Sequence, residues 1–176
     1  MTDAAAGPAP AAAARSSPDA NLSIAIVRAR YNPYGGAERF VQRALAALSS
    51  SPVTLTVIAR RWQRDARDGE ALPAGVRWQR IDPFYLGSLW RDASFSRAVR
   101  AHLAQASYSL VQSHERIPGV MIYRAGDGVH AEYLAQRARA SSPWTRWRTG
   151  LNPYHRWLLR TERRMFEHPD LRAVIC

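Results

Sequence analysis

The sequence predicts an α/β fold, a parallel sheet covered by helices on both faces, and three observations carry that reading. Leu22–Val27 (LSIAIV) is a short, nearly unbroken apolar run, the pattern of a strand buried on both sides. Apolar runs of this kind then alternate with segments of helical period to the end of the chain, as consecutive strand–helix units require. Between the first strand and the first helix stand two adjacent glycines, Gly35 and Gly36, in YNPYGGAERF. A Rossmann-like sheet places such a turn at the carboxyl end of a strand, where this class of sheet binds its ligands.

The elements follow in order. After the glycines, Ala37, Phe40, Val41, Ala44, Leu45 and Leu48 fall on one helical stripe, with Glu38, Arg39, Gln42 and Arg43 on the other side. Ser49–Pro52 ends that helix, and Val53–Ala59 (VTLTVIA) is the second strand. Arg60–Leu72 is a charged loop, and Val76–Ile81 (VRWQRI) alternates as a strand nearer an edge does. A hairpin between these two strands stays open. Phe95, Ala98, Val99, His102, Leu103 and Ala106 repeat the helical ladder, with His102 read as a packed residue. Tyr108–Ser113 and Val120–Ala125 are the fourth and fifth strands, and a helix starts near Val129. Asn152 caps a further helix with Pro153 at its first position, and Pro169 stops it. Leu171–Cys176 is the sixth strand. Function is expected in three loops, Arg28–Gly36, Ser113–Gly119 and Ala125–His130.

Composition narrows the function classes. Residues 1–21 begin as an Ala/Pro/Ser-rich stretch without periodicity and are expected to be a disordered leader; Pro8 and Pro10 break any signal-peptide core. Residues 22–176 form the expected domain. The single cysteine, Cys176, excludes an internal disulfide framework or a cysteine zinc cluster and makes the cytosol the simplest compartment. All 25 basic residues are arginine against 14 acids, a net charge of +11 that attracts phosphate-bearing partners: nucleotides, anionic lipid surfaces or nucleic acid. Charge alone does not choose among them.

The glycine pair allows close approach to bare backbone at a helix start, which suits a phosphate or a sugar hydroxyl, but it equally serves a tight turn. Further motifs settle the choice. YNPYGGAERFVQRALAAL resembles the first loop and helix of family 4 glycosyltransferases. HERIPGVMIYRAGDGVHAEYLAQRAR and NPYHRWLLRTERRMFEHPDLRAVI resemble, in order, the amino-terminal half of the lipopolysaccharide core glucosyltransferase I type. The resemblance spans residues 22–176 and implies the amino-terminal, acceptor-side half of a GT-B fold. It implies a retaining enzyme that needs no metal or cofactor and moves a hexose from a nucleotide-sugar, a UDP-sugar, to a lipid-linked glycan. Asp127 would be the catalytic-site residue beside the transferred sugar. Gly35, Gly36, Glu38, His114, Glu115 and His130 would contact substrate. Bland alternatives stand beside each: Asp127 as a turn residue, His114 as a strand-end cap. His155 and His168 are expected to be solvated.

Members of this type carry a Glu-x7-Glu pattern in a second, donor-binding domain, and no two glutamates here are eight positions apart. The expectation is therefore a half domain, truncated before the donor domain and inactive alone. Between Arg137 and Arg164 lie eight arginines, three tryptophans and a single acid, Glu162. Trp144, Arg146, Trp147 and Arg148, in an expected outward loop PWTRWR, suit the headgroup region of an anionic membrane. The expected location is peripheral, on the cytoplasmic face of a bacterial inner membrane. Two rivals remain. One is a basic RNA- or membrane-binding module without catalysis, with nucleic acid the disfavoured partner for want of a recognised motif. The other is a dinucleotide-binding domain, suggested by Gly126-Asp127-Gly128-Val129-His130-Ala131.

Overall fold

The computed structural model describes residues 22–31, 43, 46–47, 52–62, 76–126 and 128–176. The leader, the glycine loop with Gly35, Gly36 and Glu38, and Asp127 lie outside the described residues. Six strands form one sheet: β1 (Leu22–Val27), β3 (Val53–Ala59), β5 (Val76–Arg80), β6 (Leu110–Ser113), β7 (Ile122–Arg124) and β8 (Ala173–Ile175). Their spatial order is β5-β3-β1-β6-β7-β8, with every neighbouring pair parallel. Two-residue extensions, β2 (Arg30–Tyr31) and β4 (Arg61–Trp62), pair in parallel beyond the ends of β1 and β3.

The order reverses at β1, where the chain leaves β5 and crosses to β6, the doubly wound arrangement that opens a crevice at the carboxyl ends of β1 and β6. The open question of a hairpin is answered by the β3–β5 pair, which is parallel and so is not a hairpin. Burial follows position. The last four residues of β1 and last five of β3 are buried, whereas Arg77–Arg80 of the edge strand β5 are exposed.

Period-two alternation divides the core between the two faces of the sheet. Ala25, Val27 and Ile58 join Phe95 and Val99 of helix α1 (Gly87–Gln105), with Val111, Ile117 and Val120. Ile24, Ile26, Leu55 and Val57 form a second cluster, and Arg43, Ala46 and Ala47 are helical as the stripe of the first helix predicts. Arg60, at the end of β3 and 3% exposed, fastens the start of α1. It donates to Asp82 Oδ1 (3.2 Å), Pro83 O (3.1 Å), Ser94 Oγ (2.9 Å) and Arg91 O, and stacks over Tyr85. Only a planar guanidinium serves so many acceptors at once.

Three helices follow β7: α2 (His130–Arg139), α3 (Pro143–Leu151) and α4 (Pro153–Phe166). The PWTRWR segment, expected as a loop, is helical. Ser142 accepts from Thr145 N–H at 3.3 Å and Pro143 takes the first turn, where its missing N–H costs nothing. Asn152 caps α4 in the same way, accepting from Tyr154 N–H at 2.9 Å. Leu158, Thr161, Glu162 and Met165 form the buried face of α4.

Candidate functional site

The carboxyl ends of β1, β6 and β7 meet in one network built on two carboxylates. Ser113 closes β6 with a side-chain turn, its Oγ accepting from Glu115 N–H (3.0 Å) and donating to Glu115 O (2.8 Å). The turn sends the Glu115 carboxylate across to β1, where Oε1 accepts the Ala29 N–H at 3.0 Å and lies 3.5 Å from the Arg28 guanidinium. His114 is tied to β1 through its own N–H, which donates to Val27 O at 3.0 Å. Its ring is 5% exposed, with Nε2 3.2 Å from Gln112 Nε2. Of the expected pair, Glu115 lines a cavity, and the His114 ring is buried at the end of β6.

The second carboxylate is Glu162, 3% exposed on the inner face of α4. It accepts from His130 N–H (2.8 Å), Ala131 N–H (3.2 Å) and Arg116 Nε (3.0 Å). A side chain from a distant helix thus caps α2 and offsets its positive end. Arg116 donates onward to Gly128 O at 3.0 Å, and Gly128 adopts φ +70°, a conformation natural to glycine. Gly128 is therefore held twice: its N–H donates to Ala125 O at 3.2 Å, and its carbonyl accepts from Arg116.

Beside this network lies a small cavity of about 50 Å³, lined by Asp92, Ser96, Glu115, Arg116, Tyr154 and Trp157 among others. Tyr154 donates to Asp92 Oδ2 at 2.9 Å, joining α4 to α1. Burial, then the Asp92 hydrogen bond, push the Tyr154 phenol up to about 12.

Two histidine expectations change. His130 Nε2 lies 3.1 Å from His155 Nδ1, so His155 is a partly buried partner of the site rather than a solvated residue. Burial first, then the neighbouring His155 and Arg116, lower the His130 pKa; burial, then Arg137, lower that of His155. His168 is half-buried as well, its Nδ1 accepting Asp170 N–H at 3.3 Å. His102 is partly buried, with Nε2 3.1 Å from the Tyr108 hydroxyl. On α3, Trp144 and Trp147 are 65% and 56% exposed and stack with centroids 5.0 Å apart.

The dinucleotide reading loses its physical basis at α2. A pyrophosphate would need the free N–H groups at that helix start, and the Glu162 carboxylate already takes two of them. Sequence reasoning had passed over Glu162 as the lone acid of a basic helix. The signal was present, since Glu162 sits four residues after Leu158 and three before Met165, on the apolar stripe.

Strand order and crossover define a Rossmann-like α/β unit with the network at the carboxyl ends of its strands. The model of Glycosyltransferase Family 4 matches residues 34–176, and the chain belongs to that family. A solved structure, that of WaaG, described as a glycosyltransferase involved in lipopolysaccharide biosynthesis, superposes with a TM-score of 0.69 at 22% identity over 85% of this chain. The chain spans 37% of the WaaG chain. No curated protein matches the sequence.

Proposed function

We propose that this domain is the acceptor-binding half of a retaining glycosyltransferase that transfers a hexose from a nucleotide-sugar to a lipopolysaccharide-core-like or other lipid-linked glycan. The observation that supports it best is the chemistry around the cavity between α1, α4 and the turn after β6. Asp92 and Glu115 offer carboxylate acceptors, the Tyr154 oxygen, its proton given to Asp92, a further acceptor, and Trp157 an apolar face, in a family 4 domain. In this reading Asp127 hydrogen-bonds a sugar hydroxyl and steadies positive charge developing at the ring. Gly35, Gly36 and Glu38 approach donor and acceptor from the first loop, and Arg116 with Glu162 holds Gly128 and the start of α2. The departing diphosphate needs preorganised positive groups, which the resemblance assigns to a second Rossmann-like unit, so this unit by itself binds and does not transfer. Trp144, Arg146, Trp147 and Arg148 hold the domain at the cytoplasmic face of an anionic membrane, where a lipid-linked acceptor is found.

The test is saturation-transfer NMR on the full chain, with lipopolysaccharide core oligosaccharides and UDP-glucose as separate probes. The expected result is transfer to the oligosaccharides, lost in Trp157→Ala, with little to UDP-glucose. Stronger transfer to UDP-glucose than to any oligosaccharide would overturn the acceptor assignment.

A further inference from the structure

An open groove of about 470 Å³ lies between α1 and the segment that leads into it, apart from the cavity lined by Asp92 and Glu115. Ala93, Ala98 and Ala101 of α1 line it, with an aromatic corner, Phe84 and Trp90, whose rings pack edge to face with centroids 5.8 Å apart. Phe84 is 73% exposed and Trp90 49%, so the corner meets water rather than the core. Trp90, Ala93, Arg97, Ala98 and Ala101 recur at the helical period, so α1 carries a second stripe besides Phe95 and Val99, which pack on the sheet. Contiguous exposed apolar surface of this kind marks an interaction site.

The polar groups of the groove fix the charge of its occupant. Ser94 Oγ already accepts from Arg60 (2.9 Å) and donates to Arg91 O (3.2 Å), which leaves the Arg97 guanidinium and the Trp90 indole N–H, both donors only. Neither Arg97 nor the exposed Arg100 forms an ion pair among the described residues. The one acid of α1, Asp92, is engaged by Arg91 and Tyr154. We propose that the groove docks an amphipathic helix of a partner protein, with carboxylates flanking its apolar face to meet Arg97 and Arg100. Alanines let two helix axes approach closely, and the aromatic corner receives one apolar side chain of the partner. Trp90 to Ala101 spans about 16 Å of helix axis, three turns against which a partner helix can lie. A sugar would need acceptors that this lining does not offer. A second copy would bring Arg97, and a net charge of +11, against the same charges.

Fluorescence anisotropy of a labelled helical peptide of about four turns tests this on the full chain. The peptide has leucines at i, i+3, i+4 and i+7 with glutamates elsewhere, and its counterpart has lysines for the glutamates. The glutamate peptide is expected to bind saturably and at least about tenfold more tightly than the lysine peptide. Phe84→Ala, at a largely exposed position, should weaken it by about fivefold or more. Arg97→Glu should abolish the preference for the glutamate peptide. Arg172→Glu makes the same charge change beside β8, at the far edge of the sheet from β5, and should alter affinity by no more than about twofold. Equal losses in the two charge variants would reduce the effect to net charge and overturn the proposal, as would a glutamate peptide that fails to bind or binds Phe84→Ala unchanged. Self-association of the parent in sedimentation equilibrium, abolished by Phe84→Ala, would instead give the groove to a second copy. Loss of phosphatidylglycerol vesicle binding in Phe84→Ala, with peptide affinity intact, would give it to a membrane.

Discussion

Replacing Glu162 by alanine tests whether one buried carboxylate holds the loop around Asp127. The substitution removes three acceptor contacts at once, to His130 N–H, Ala131 N–H and Arg116 Nε, at a position 3% exposed. Breaking a buried pair by deleting one member costs about 3–5 kcal/mol, because the remaining charge stays desolvated. Here Arg116 keeps its bond to Gly128 O, which offsets part of that, while the loss of the α2 cap adds roughly 0.5–2 kcal/mol. The sum remains near 3–5 kcal/mol, a large share of the roughly 5–15 kcal/mol that stabilises a domain. At about 2–4 °C per kcal/mol for this size, Tm should fall by roughly 6–20 °C. Urea unfolding of Glu162→Ala, Arg116→Ala and the double variant measures it. The double variant should be less destabilised than the sum of the singles, since removing both charges leaves neither unpaired. A Glu162→Ala midpoint indistinguishable from the parent, or strictly additive singles, would refute the clamp.

Three further outcomes follow from the same geometry. His130 and His155 both have lowered pKa values in the fold, so the unfolded chain binds more protons below about pH 6.5. Their contribution is complete above that value and is lost as pH falls; Tm should drop between pH 7 and 5, and less steeply in His155→Gln. The Tyr154 phenol, at about 12, should be silent when absorbance follows tyrosine ionisation near pH 10. Its contribution to stability holds below about pH 10 and is lost as pH rises toward its folded pKa; Asp92→Asn should bring the titration part of the way down. Trp144→Ser with Trp147→Ser should leave unfolding free energy within about 0.5 kcal/mol of the parent, as exposed positions do, yet lose sedimentation with phosphatidylglycerol vesicles. Unchanged sedimentation would remove α3 from any membrane contact.

The sheet was legible because its signals are local. LSIAIV and VTLTVIA have the nearly continuous apolar character expected of doubly covered strands, and Asn152–Pro153 announces α4 without help from the rest of the chain. PWTRWR was misread for the opposite reason. Its cap, Ser142, sits beside Ser141 in what scans as a loop, and tryptophan and threonine are weak helix formers. The candidate site was only partly legible. Glu115 could be singled out because it lies two residues past a strand end, while Glu162, Arg116, Asp92 and Tyr154 depend on contacts up to 62 residues apart in sequence. Periodicity reports which face a residue occupies, not which residue arrives opposite it.

One consequence of those long contacts bears on what the crevice binds. At the carboxyl ends of β1 and β7 the backbone N–H groups most suited to a phosphate, those of Ala29, His130 and Ala131, are each occupied by a glutamate of the same chain. Those bonds leave a diphosphate none of these N–H groups, while the partly exposed Glu115, unlike the buried Glu162, keeps lone pairs that accept from hydroxyls. The proposed acceptor role predicts that this part of the crevice takes a polyhydroxyl ligand in preference to a nucleotide. Glu115→Gln, which keeps an oxygen toward Ala29 but discharges the site, distinguishes the two. Oligosaccharide binding should survive it weakened, and phosphate affinity should rise. A variant that loses oligosaccharide binding without gaining phosphate would mean that Glu115 contacts the sugar directly rather than guarding the backbone.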